Sequence, residues 1–252
     1  MKTVTGSTTN EKNMIKAIQA ATGAVQDGMI GTQTMSDIAR MVGADCFPLT
    51  LQIYSQPVII AKDIVPFAPG TGLKNWTNSV SGSFSANGKP CSILVQNGIV
   101  KRGQSCHSWK YNKPESVLYK TKGGEIKIAR VVDVKEIKDE IDWAVGGMGL
   151  LDNYDPNAEG FCRLTHNGKT ENFSDVLRKT AHTLIGEKGG YIYLAYVKNM
   201  TAAQVDAYAK KLGLSKAVML DGGHVAAING TEKFAKINTG LKQAYAIQAK
   251  EA

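Results

Sequence analysis

The sequence predicts an α+β fold: a mixed β-sheet domain with flanking helices over residues 45–252, preceded by a small N-terminal helical hairpin in residues 1–44. Three observations carry that expectation. Residues 8–43 set apolar side chains at helical spacing between a capping box and closing glycines. Beyond Asp45 the pattern turns to short β-rich runs punctuated by Gly, Asn and Pro. Late in the chain a strand, a capped helix and a second strand follow one another, the order of a crossover unit. With 252 residues, 43% hydrophobic and 21% charged, the chain can bury a large core and is neither disordered nor collagen-like. No apolar run approaches the roughly 20 residues of a membrane span. Met1 to Asn13 is polar and lacks the apolar stretch of a signal peptide, so the expectation is synthesis in a cytoplasm.

The N-terminal elements come first. Thr8-x-x-Glu11 is a capping box, Met14, Ile15, Ile18 and Ala21 recur along one helical face, and Gly23 stops it. After a loop at Asp27-Gly28-Met29-Ile30-Gly31, Thr32 caps a second helix with Met35, Ile38, Ala39 and Val42 as its stripe and Gly43 as its end. A hairpin this small must pack on something else. Its Ile18-Gln19 and Asp27-Gly28-Met29-Ile30-Gly31-Thr32-x-Thr34 resemble the signature of peptidoglycan-binding domains, which implies a bacterial cell-wall partner. The same glycines and threonines would serve the turn and cap of a non-binding hairpin equally well.

In the larger region the expected strands are Leu51 to Tyr54, Pro57 to Ile60, Ser92 to Val95, Ile99 to Lys101, Ile126 to Val132 and Trp143 to Gly146. Asn97-Gly98 marks a two-residue hairpin turn. Four scattered cysteines, Cys46, Cys91, Cys106 and Cys162, form no C-x-x-C pair, so free buried thiols are expected and no zinc knuckle. Net charge is +8, of which residues 1–44 hold one, and such an excess attracts phosphate-bearing ligands. The lysines are dispersed, which leaves a solvated surface equally open and gives nucleic acid no support.

Residues 182–229 are the most informative. Gly189-Gly190 separates His182 to Lys188 from Tyr191 to Val197 as a primed hairpin turn, which counts His182 opposite Val197. Thr201-x-x-Gln204 caps a helix whose Val205, Tyr208, Ala209 and Leu212 form its apolar face, with Gly213 as its stop. Ala217 to Leu220 is the next strand, and it delivers Asp221-Gly222-Gly223-His224. If the strands flanking the helix are parallel, Val197 and Asp221 end at one sheet edge, and His182 stands near Asp221. Ligands favour such strand ends, and Gly222-Gly223 lets one approach the backbone closely. A plain turn is the bland reading of the same residues. His107 and His166 sit in polar, loop-like contexts and read as surface residues.

Three segments in order resemble the phosphodiester glycosidase family. They are Val80-Ser81-Gly82-Ser83-Phe84 with Asn87-Gly88-Lys89-Pro90 and Asn97-Gly98; Ala144-Val145-Gly146-Gly147 with Leu150-Leu151-Asp152; and His182-Thr183-Leu184-Ile185-Gly186 with Leu220-Asp221-Gly222-Gly223. The resemblance implies a mixed-sheet α+β domain that hydrolyses the bond between a sugar's anomeric carbon and a phosphate. It differs at Ser81 and Ser83, where the family has Asn and Gly; at His182, where it has Arg; and at His224-Val225, where it has Gly-Ser. Arg grips phosphate with a charged fork that His lacks.

The resulting expectation is a hydrolase acting on a sugar-phosphate in an envelope polymer or a nucleotide-sugar-like molecule. Asp221 is nucleophile or general base, and His182 or His224 is the acid. Ser81, Gly82, Ser83, Thr183, Gly146, Gly147, Gly222 and Gly223 bind substrate. No organic cofactor is implied, since no G-x-G-x-x-G or P-loop opens a helix, and no ligand cluster supports a metal. Two other classes stay open: a silent protein that sequesters a phosphorylated sugar or nucleotide, and a wall-targeting phage lysis component that reaches the cell wall after release.

Overall fold

The computed structural model describes residues 48–166, 169–172 and 174–250, with Val4–Thr5, Lys16, Gln19 and Met29–Ile30. Strands predominate, and two large sheets hold fifteen of them. In chain order these are β1 (Leu49–Ile53), β2 (Gln56–Ala61), β3 (Asp63–Phe67), β4 (Ser79–Ser81), β5 (Leu94–Gln96), β6 (Ile99–Arg102), β7 (Glu115–Thr121), β8 (Ile126–Val131), β9 (Ile141–Gly149), β10 (Thr180–Lys188) and β11 (Tyr191–Met200). Helix α1 (Ala202–Leu212) follows, then β12 (Lys216–Gly222), β13 (Ile228–Asn229), β14 (Lys236–Ile237) and β15 (Ala246–Lys250).

Ten strands form one sheet in the order β6-β5-β9-β12-β10-β11-β2-β1, with β7 and β8 branching from β9. Five form a second, in the order β14-β13-β4-β15-β3. Every pairing in both is antiparallel. The expected α+β fold with flanking helices is therefore corrected to a β-rich one. Among the described residues α1 is the one helix longer than a single turn, and its neighbours in the chain are strands. The expectation failed because a second sheet, rather than further helices, covers the face of the large sheet opposite α1. Tyr191 to Val197, between the two layers, are all buried.

The large sheet packs α1 on one face and the small sheet on the other. On the helix side Val205, Tyr208, Ala209 and Leu212 join Val58, Ile60, Leu184, Tyr193 and Ala195. On the other side Ile59, Ile185, Leu194, Val218 and Leu220 meet Val80, Ile228 and Ile247 of the small sheet. Alternate residues of one strand thus feed two cores, as the two-residue period of a strand requires.

The helix has both halves of its capping box, Thr201 with Gln204, and a left-handed Gly213 closing it. Asn97-Gly98 and Gly189-Gly190 all have positive φ, as primed hairpin turns demand. Strands β11 and β12 both run antiparallel to β10, which lies between them, so they are parallel to each other. The crossover reading holds in that form. Halves of the large sheet meet at the β9–β12 pair, whose ladder is only Met148↔Met219 and Gly149↔Val218.

Of the N-terminal hairpin, Met29–Ile30, expected in a loop, is a short strand paired with Val4–Thr5. The remaining residues expected in its two helices lie outside the described residues, apart from Lys16 and Gln19.

Candidate functional site

The edge where β10 begins and β12 ends is built by register. His182 pairs opposite Val197 of β11 and opposite Gly222 of β12. The β10–β11 ladder slips between Thr180 and His182, and the β10–β12 ladder slips between His182 and Leu184. Such irregularities re-aim side chains at sheet rims. At this edge a cavity of about 240 Å3 opens, with Arg178, Thr180, His182, Asp221 and His224 as its polar lining and Phe84 and Ser85 on its wall.

Among the described residues, three bonds help to fix Asp221. Its N–H donates to the carbonyl of Gly82 at 3.2 Å, and its own carbonyl accepts from Thr183 Oγ1 at 3.2 Å. Its Oδ1 accepts from the N–H of Gly222 at 2.8 Å. The carboxylate is half-buried at the cavity, and His224 is exposed at its mouth. Gly223 has φ of +69°, a conformation that favours glycine. Gly222 is glycine because of close approach: a Cβ there would lie 2.6 Å from His182 Nδ1 and 2.7 Å from the carbonyl of Ala181.

His182 is set differently from Asp221. Its ring is 1% exposed, and Nε2–H donates to the carbonyls of Met200 at 3.0 Å and Arg178 at 3.2 Å. Burial lowers its pKa below the usual imidazole value, which fixes it neutral at physiological pH with Nδ1 bare.

The other expected site residues lie behind the cavity rather than on it. Ser81 and Thr183 are fully buried, with their hydroxyls 3.3 Å apart; Ser81 Oγ accepts from Ala227 N–H, and Thr183 Oγ1 also reaches the Ser81 carbonyl. They tie the small sheet to the strand that carries Asp221. Gly82 packs against the Tyr245 ring, and Ser83 is buried with its hydroxyl unpaired. Gly146 faces Glu115, and Gly147 faces the Met219 carbonyl.

Sequence reasoning missed Arg178, which reads as a surface charge beside Lys179, and two buried acids. Glu115 is 1% exposed and accepts from the N–H groups of Ile93 at 2.6 Å and Cys106 at 3.3 Å. Glu159, wholly buried, accepts from Ser116 Oγ, Gly149 N–H and Arg130 Nε. His107, expected at the surface, is buried too; its Nδ1 meets the Glu159 carbonyl at 3.1 Å and its ring stands edge-on to Phe161. The side chain of His166 lies outside the described residues. Cys91, Cys106 and Cys162 are free but half-buried, not deeply buried, and the Cys91 and Cys106 sulfurs are 3.3 Å apart. Cys46 lies outside the described residues. Among the described residues no group of three His, Cys, Asp or Glu is placed to hold a metal ion.

Burial pushes Glu115 up to about 8 and Glu159 up to about 7, against an ordinary 4.5. The folded chain therefore keeps protons that the unfolded chain has lost. Their contribution to stability is whole below about pH 4.5 and is lost as pH rises through 7 and 8. The melting temperature is expected to fall from pH 5.5 to 8.5, and Glu115→Gln, which mimics the protonated acid, should flatten that slope. Melting curves read by circular dichroism test this; identical slopes in the two proteins would refute it.

A comparison with family models matches residues 75–248 to the phosphodiester glycosidase family. Comparison with curated protein sequences finds no match. Among solved structures, the catalytic domain of zebrafish N-acetylglucosamine-1-phosphodiester alpha-N-acetylglucosaminidase, auto-inhibited by its pro-peptide, superposes with a TM-score of 0.57 at 13% identity, covering 82% of each chain. A hypothetical protein from Synechocystis superposes with a TM-score of 0.48 at 10% identity, covering 80% of this chain and 61% of the other. At 13% identity the likeness to the zebrafish domain is one of fold.

Proposed function

The chain belongs to the phosphodiester glycosidase family, and from that membership we propose that it hydrolyses a glycosyl phosphodiester at the Asp221 cavity. The observation that carries the reading is the position of Asp221, a carboxylate held by the N–H of Gly222 at a polar cavity. A water lodged against Asp221 passes a proton to the carboxylate as its oxygen attacks the anomeric carbon. The bond from that carbon to the phosphate oxygen breaks, and its electron pair leaves on the phosphate. His224 at the mouth donates a proton to the departing oxygen. The products are a free sugar and a phosphate monoester.

Size narrows the substrate. The cavity, about 240 Å3, is below the range of about 300–1,000 Å3 typical of sites for drug-sized ligands. It accommodates a terminal glycosyl phosphate and leaves the rest of the molecule outside, whether envelope polymer or nucleotide. His182, neutral and committed to two carbonyls, acts in this reading through the groups it holds rather than as the acid.

Hydrolysis in 18O-water tests the reaction type. The substrates are glycosyl 1-phosphodiesters, beginning with N-acetylglucosamine, the sugar in the zebrafish relative's name. Label is expected in the released sugar, because the attack is on carbon. Label in the phosphate would make the protein a phosphodiesterase, and no sugar release from any member of the panel would overturn the reading.

A further inference from the structure

We propose that Arg178 is the residue that grips the substrate phosphate, and that His182 serves to position it. The proposal rests on the glycosyl phosphodiester reading above and names a residue that neither the family pattern nor the sequence motifs assign.

A phosphate needs a positive charge at the cavity, and the lining offers few. His182 is buried, neutral and has its Nε2–H engaged, so it cannot supply one. Arg178 lines the same cavity with an exposed side chain, and no ion pair to it is seen among the described residues. Its Nη2 lies 3.5 Å from the point where a Cβ on Gly223 would stand. The guanidinium therefore stands beside the turn that carries Asp221. Guanidinium presents parallel N–H donors that match two phosphate oxygens, and it stays charged at every working pH.

The chain also fixes where Arg178 sits. The residue lies four positions before His182, just outside β10, where it could swing with its loop. His182 opposes that: one ring N–H bridges the carbonyl of Arg178 and the carbonyl of Met200 at the end of β11. The imidazole staples the loop to the sheet. A histidine inside the strand and an arginine before it together replace one arginine on the strand, with the charge delivered from a different point of the chain to the same cavity.

Inorganic sulfate is a suitable probe, because its charge is constant from pH 6 to 9. Calorimetric titration of the wild-type chain is expected to show sulfate binding that persists to pH 9. Arg178→Ala should weaken it about 10- to 100-fold, the range for losing a hydrogen bond to a charged group. The same variant should raise KM for a glycosyl phosphodiester by a similar factor, Arg178→Lys should recover part of the loss, and melting temperatures should stay at the wild-type value. Sulfate affinity that vanishes above pH 7 would assign the anion to an imidazole and overturn the proposal. So would unchanged affinity in Arg178→Ala. Sulfate binding that depends on Arg178 in a chain that releases no sugar would support the anion site and overturn the hydrolysis reading alone. Sugar release with no dependence of KM on Arg178 would do the reverse.

Discussion

Asp221→Asn is expected to lower kcat for glycosyl phosphodiester hydrolysis by about 10²- to 10⁴-fold, the contribution of a positioned general base. The fold should survive. The backbone bonds of this residue, from its N–H to Gly82 and to its carbonyl from Thr183, do not involve the side chain. An amide oxygen can still accept from the N–H of Gly222. What the amide cannot do is take a proton from water near neutral pH. KM should change little, since the anion is held elsewhere. Steady-state kinetics beside a melting curve check all three quantities, and full turnover by a folded Asp221→Asn protein would remove the residue from the mechanism.

Gly147→Ala is expected to destabilise the large sheet at the narrow β9–β12 seam. A Cβ on Gly147 would stand 2.5 Å from the Met219 carbonyl oxygen and 3.3 Å from Val218 Cβ. Both belong to β12, and the obstructing oxygen is backbone, so no side chain can swing aside. The strain falls on the β9–β12 ladder, whose two residue pairs join the halves of the sheet. Overpacking commonly costs about 1–3 kcal/mol, and a backbone clash at so narrow a seam belongs at the upper end. For a domain of this size that corresponds to a fall of roughly 6–12 °C in melting temperature. Thermal melting of Gly147→Ala beside Gly124→Ala gives the comparison. Gly124, unlike Gly147, has positive φ, and nothing lies within 4 Å of its Cβ position, so its variant bears backbone strain without a clash. Equal losses in the two variants would refute the packing argument.

The site edge was legible because its information is local. Two glycines with positive φ at 189 and 190 set the hairpin register, and the register alone places His182 opposite Val197. The capping box at Thr201 and the stop at Gly213 then return the chain to the same edge at Asp221. Other parts were hidden for physical reasons. β3 contains Pro66 and β7 opens on an acidic residue, Glu115, features that argue against a strand until a partner sheet and two N–H donors are known. Arg178 gave no signal because its meaning is spatial: it faces Gly223, 45 residues onward. The helix expected late in the chain is α1, while the two expected near the N-terminus fall, apart from Lys16 and Gln19, outside the described residues.

The position of β15 also dictates when the site comes into being. This strand lies inside the small sheet between β3 and β4, paired with residues more than 160 positions earlier. The carbonyl of Tyr245, just before it, receives the N–H of Gly82, and the carbonyl of Gly82 in turn receives the N–H of Asp221. A chain growing from the ribosome therefore has its aspartate, hairpin and helix in hand well before it can brace them. Until residues 245–250 arrive, β3 and β4 are exposed edges without the strand that joins them, a state open to pairing with other chains. Assembly of the small sheet and completion of the cavity are one late event, so the protein acquires its chemistry and loses its stickiest surfaces at the same moment.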